Sequence, residues 1–166
     1  MPNWILISSP ALFATTYSCA ILVTCVVSFH IIDNEISKGN NIDHLFYWYE
    51  IVMHNLNVII LGAALIINNI EVDWRYFSLP IIFGIIYVFW ARIYANLADV
   101  YIYNFLDPRL KGAPLIHFLL LSFLMFSFFI VILFERLVNW NLFIGSLLII
   151  LFTGAIVRIK QPEYND

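Results

Sequence analysis

Within stretches that are otherwise apolar, a few residues could do acid–base or ionic chemistry. Glu50, His54 and Asn57 follow one another at i, i+4 and i+7, the spacing that lines one face of a helix; Asn68 falls on the same stripe. A carboxylate one turn from an imidazole can fix its orientation and tautomer, as a general base requires. Arg92, with Asn96 and Asp99 at i+4 and i+7, offers a cation to an anionic headgroup or carboxylate. Thr24 has an expected depth of about 12 Å, close to the roughly 10 Å of His54 at the helical rise per residue. A Thr24–His54 pair would meet the logic of a nucleophile and its base, whereas a mid-helix threonine ordinarily bonds back to its own helix. His54 and Thr24 are therefore the candidate catalytic pair, with catalysis not the favoured role for either. Glu50, His54, Asn57, Arg92 and His117 form the candidate polar layer contacting lipid or headgroups, and Ser28 and His30 close the first helix at that level.

Other chemistries lack their residues. His30, His54 and His117 fall on different segments, without a His-x-x-His or Glu-x-x-His pair, so neither metal nor haem is expected. A Gly-rich phosphate loop and a Gly-x-Ser-x-Gly elbow are both missing, and no cofactor is expected. Cys19 and Cys25 lie about 9 Å apart in height on different helix faces, too far for a mutual disulfide.

The elements that position these residues are transmembrane helices. Of 166 residues, 63% are hydrophobic and 11% charged, against about 25% charged in a soluble domain. So short a chain could not hide that much apolar surface from water, but it can leave it in lipid. The chain reads as one all-α multi-pass domain, residues 1–166, because each crossing takes about 20 apolar residues as a helix. The five expected spans are Ala11–Ile32, Tyr47–Asn69, Tyr76–Ala98, Pro114–Phe134 and Asn139–Val157. Trp4, Trp48, Trp74 and Trp140 lie near their ends, where amphipathic rings meet headgroups. Gly62-Ala63-Ala64 and Gly145-Ser146 are small-residue patches suited to close helix packing.

The loops on one side carry Arg75 and Arg136; those on the other carry Lys38, Arg109, Lys111, Arg158 and Lys160. That bias places the C-terminus on the cytoplasmic side, or on the matrix side of a mitochondrial inner membrane. Net charge is −3 without a basic run, so nucleic acid is not an expected partner. No cleavable leader is expected, since Met1–Pro10 has no positive stretch ahead of the first apolar segment.

The order of features resembles the androgen-induced and rolling-stone-like family of multi-pass membrane proteins. His54 with Asn55 and Asn57 opens a span, and an aromatic helix follows with Tyr87, Trp90 and Tyr94. Then come Tyr101-Ile102-Tyr103-Asn104-Phe105-Leu106-Asp107 and a Lys111-Gly112 turn before the next span. The likeness covers about Ala11–Phe134. Members of that family include intramembrane hydrolases of fatty-acid esters of hydroxy fatty acids, with a threonine nucleophile on an early helix and a span-opening histidine as base. The resemblance puts His54 in the position of that histidine. By spacing, Ala11–Ile32 resembles the family's third span, so the nucleophile's helix is expected to be absent, and Asn104 stands where the family usually has proline.

The favoured expectation is a non-catalytic structural or accessory subunit of a larger membrane complex, with the mitochondrial inner membrane and its respiratory machinery, or an endomembrane, as its place. Membrane lipids and other membrane subunits are the expected partners. A lipid-ester hydrolase using His54 and a lipid-binding membrane protein are the alternatives.

Overall fold

The computed structural model describes residues 3–68 and 70–160, with side chains described from Ser9 onward. Among them there is no strand; every crossing is helical. This is what a bilayer demands, because backbone N–H and C=O groups find no partner in hydrocarbon unless the segment satisfies them itself.

The first span is α1 (Asn3–Val26), a π-helical turn (Val27–Ile31) and α2 (Ile32–Ser37) in one continuous rod. It therefore starts before Ala11 and outlasts Ile32. Asp33 and Glu35 extend it because their carboxylates lie past the apolar stretch, and the rod stops where Gly39 takes φ 69° and donates its N–H to Ile36 O at 2.9 Å, a left-handed cap that suits glycine. The second span is α3 (Trp48–Ile51), a second π-helical turn (Val52–Leu56) and α4 (Asn57–Ile67). The third is α5 (Ser78–Ala98), led in by a 3-10 turn at Trp74–Phe77 whose Asp73 cap accepts from Arg75 N.

The fourth span is α6 (Ala113–Trp140), with Pro114 in its first turn, where a missing N–H costs nothing. It runs through the expected break at Glu135–Val138. Asn139 Nδ2 donates to Glu135 Oε1 at 2.6 Å one turn away, so the buried carboxylate is satisfied without leaving the helix. The turn falls instead at Asn141, which leaves α6 in an extended conformation and caps α7 (Leu142–Ile156) by accepting from Ile144 N at 3.1 Å. A side chain at Gly145 would meet Val138 N at 2.5 Å; glycine is what lets so tight a hairpin close.

Among the described residues four helices are long and apolar enough to cross a bilayer: Ser9–Ser37, Trp48–Ile67, Trp74–Ala98 and Ala113–Trp140. The fifth expected span shrinks to the 15 residues of α7, about 22 Å at the helical rise, against a hydrocarbon core of about 30 Å. The chain still returns to the far side, since Arg158, just beyond α7, pairs with Asp33 at the end of the first span at 2.7 Å.

The first span is the hub. It packs on α4, α5 and α6, while α7 packs on α4 and α6. Tyr17, Ile21, Val58, Leu65, Phe128, Val131 and Ile149 make the centre. Half of the first span's most apolar stretch is buried, against 11% for the third, so the third span lies on the outside of the bundle. Trp48, Trp74 and Trp140 are all exposed near helix ends, as expected; the Trp4 side chain lies outside the described residues.

Candidate functional site

The π-helical turn at Val52–Leu56 organises the polar residues of the second span. A π turn shifts the backbone ladder by one residue, and such turns recur at functional sites because they free main-chain groups. Here side chains attend those carbonyls. Asn57 Nδ2 donates to Met53 O at 2.8 Å, and the Thr24 hydroxyl, fully buried on the first span, donates to His54 O. Thr24 thus does reach across to His54, at the depth expected, but its bond is to the main chain and not to the imidazole.

The ring looks elsewhere. His54 Nε2 lies 2.9 Å from Glu50 Oε2, an i, i+4 pair in which both side chains are mostly covered. Nδ1 is buried with no hydrogen-bond partner. The carboxylate–imidazole pair anticipated from spacing is therefore formed. The loop between the third and fourth spans packs on α5 and α6, with Phe105 against His30 of the first span. There the Tyr103 hydroxyl is pushed up to about 12, by burial first and then by the negative charges that Tyr87 and Glu50 would present.

Asn55, adjacent to His54 but off the Glu50 stripe, plays a part that helical spacing does not mark. It is buried, and its Nδ2 donates to Arg158 O at 3.0 Å. Arg158 in turn reaches Asp33 and lays its guanidinium over the Phe29 ring, 4.9 Å from the centroid. The segment after α7 is thereby strapped across the ends of the first two spans. A buried amide would have been the signal, since asparagine is rarely buried without a main-chain partner.

The remaining candidates lie apart from this cluster. Asn57 is exposed and serves its own helix. Arg92 is exposed on α5 and lines a separate cavity of about 240 Å³ with Asn96, Asp99, Tyr101 and Arg109. Arg109 is taken up by Asp107, through Nε–Oδ1 and Nη2–Oδ2 contacts of 2.9 Å each, and these bonds hold the Asp107 carboxyl below its ordinary value. Arg92 has no ion-pair partner among the described residues. His117 stands on α6, with Nδ1 2.7 Å from Ala113 O, and lines an apolar cavity between the first, third and fourth spans. His30 packs edge-on to Phe105, centroids 5.6 Å apart, and Ser28 is buried with its hydroxyl unpaired.

The expected single polar layer is thus divided. Glu50 and His54 form one site, Arg92 a second, His117 a third. The helix periodicity places each residue at the right height, but which neighbour a helix face meets depends on packing order. The second span packs on the first and fifth, the third on the first and fourth.

Chemically, the Glu50–His54 pair could hold a proton, but it has no hydroxyl or thiol hydrogen-bonded to the ring. Among the described residues no cluster of His, Cys, Asp or Glu is arranged to hold a metal ion. Cys19 and Cys25 are both free thiols. No protein-family model, curated protein or solved structure matches the chain.

Proposed function

We propose that this protein is a non-catalytic accessory subunit of a larger membrane assembly, built on a shortened core of the androgen-induced type, with lipid at its polar end. The observation that carries the reading is the direction of the Thr24 hydrogen bond. A threonine becomes a nucleophile when a base takes its proton; this hydroxyl instead donates to the His54 main-chain carbonyl. The Thr24–His54 bond then works as a latch between the first two spans, while the Glu50–His54 pair stays within the second. The outward-lying third span supports a partnered role, because Arg92 on it forms no ion pair among the described residues. An unpaired cation within a span is costly, and a neighbouring subunit's carboxylate or a lipid phosphate would offset that cost.

The test is extraction from the native membrane in mild detergent, followed by native electrophoresis and fractionation of mitochondrial inner membrane from endomembranes. A stable assembly far larger than the chain, lost in Arg92→Leu, is the expected result. A chain that migrates alone, and whose Thr24 is labelled by a fluorophosphonate probe only when His54 is intact, would replace this reading with that of a hydrolase.

A further inference from the structure

The cavity beside His117 shares only its neighbour Tyr103 with the Glu50–His54 pair. It has a volume of about 140 Å³ and lies between the first, third and fourth spans. An engineered protein cavity of about 150 Å³ stays dry and takes up benzene, so this space suits a compact apolar body or a length of alkyl chain.

Its walls differ from end to end. The deep end is apolar and is opened by Gly84, where a Cβ would come within 2.8 Å of Leu121 Cδ2 and 3.0 Å of Leu124 Cδ2. The other end is polar. His117 has its Nδ1 engaged with Ala113 O; a carbonyl can only accept, so Nδ1 carries the proton and Nε2 presents a lone pair. That Nε2 is buried without a partner. The Tyr87 and Tyr103 rings line the same space, with no hydrogen bond from either hydroxyl among those the structure shows. A buried acceptor left unpaired is costly, and a ligand bearing an O–H would supply its partner.

The two ends are ordered as a membrane amphiphile is. His117 is one turn inside α6, near the interface, and Leu124 lies seven residues deeper, about 10 Å toward the bilayer centre. The third span, which forms one wall, is the least buried of the four long helices, so a chain can enter sideways from lipid.

We propose that this cavity is a binding site for a single-chain aliphatic alcohol, its hydroxyl donating to His117 Nε2 and its alkyl tail running along α6 to Gly84 and Leu124. The proposal does not depend on whether the protein has subunit partners.

Photo-crosslinking of the full chain in nanodiscs with a diazirine-bearing decan-1-ol tests it. Labels should fall on the peptides carrying Gly84 and Leu121, and decan-1-ol should displace them about tenfold better than decane, the worth of one hydrogen bond. His117→Phe should abolish that preference. Leu121→Trp should fill the cavity and remove labelling, while Leu147→Trp, on the exposed face of α7, should leave it intact. If Leu121→Trp fails to fold, Gly84→Val narrows the same end. Equal competition by decane, undiminished labelling in a folded cavity-filling variant, or stronger competition by decanoate than by the alcohol would each overturn the proposal.

Discussion

The two flanks of the first span are built on different principles. Toward the second and fifth spans, polar side chains tie the fold together: Thr24 serves the His54 carbonyl, His54 the Glu50 carboxylate, and Asn55 the carbonyl of Arg158, with His54 Nδ1 and Asn55 Oδ1 left over in tightly packed surroundings. Toward the third and fourth spans there is a cavity, and a buried polar atom on its wall, His117 Nε2, is left over. Where hydrogen bonds close between helices, the bundle gains a fixed register. Where they stay open in a cavity reachable from lipid, a ligand can complete them. The histidines mark the difference: each keeps one buried ring nitrogen without a partner, but it is His117 that lines the cavity.

Glycine substitutions probe that comparison most forcefully. At Gly62, a methyl group would lie 3.0 Å from Tyr17 Oη and 3.1 Å from Ile149 Cγ2. Tyr17 is fully buried and Ile149 nearly so; neither has space to retreat, so overpacking should be costly. At Gly84 the approach to Leu121 is closer still, at 2.8 Å, but the clash is with flexible leucine ends beside an empty space. Gly62→Ala should therefore destabilise the bundle by about 1–3 kcal/mol, and Gly84→Ala by well under half of that, as measured by unfolding in mixed micelles. Reversal of that order would mean that the cavity flank is the more rigid of the two.

Thr24 gives the next largest effect. Thr24→Val keeps the shape and removes the donor, leaving the His54 carbonyl in a dry interior. Interhelical hydrogen bonds within bilayers average about 0.6 kcal/mol and reach roughly 1.7; because the π turn offers the carbonyl little alternative, a value near the upper end is expected. Thr24→Ser should recover most of the loss. If valine is neutral in the same unfolding assay, the carbonyl has another partner and the latch between the first two spans is not a working one.

Much of this was legible in the chain. Composition and segment length fix a multi-pass helical bundle, and the i, i+4 spacing of Glu50 and His54 fixes their pairing. What the sequence could not convey was which helix faces which. Arg92, His54 and His117 share a height but not a neighbour, because lateral order comes from packing. The π turns were also hidden, since a one-residue shift in the ladder has no compositional mark. Asn141 was readable as a cap, but the charges of Glu135 and Arg136 drew the expected break several residues early; the Asn139–Glu135 bond lets the helix absorb them.

The smallest expected effect comes from a matched change at the two histidines. Replacing His117 with phenylalanine removes an unsatisfied buried nitrogen together with the bond from Nδ1 to Ala113 O. The first loss is favourable and the second unfavourable, each of order 1 kcal/mol, so the net change should stay within a few tenths. The larger ring would also occupy part of the cavity. His54→Phe is not symmetrical. It leaves Glu50 without the partner it holds at 2.9 Å, in a side chain mostly covered by protein, and the cost of a half-buried carboxylate deprived of its donor should appear as a loss of about 1 kcal/mol or more. Glu50→Gln combined with His54→Phe should restore part of it, because an amide tolerates that environment better than a carboxylate. The measurement is the pair of unfolding free energies, taken without added lipid and again with decan-1-ol. A stabilising shift on adding the alcohol in the native chain, lost in His117→Phe and retained in His54→Phe, would set the open flank apart from the closed one. The same shift in both variants would mean that the alcohol acts on the bundle as solvent, and that the two histidines are equivalent after all.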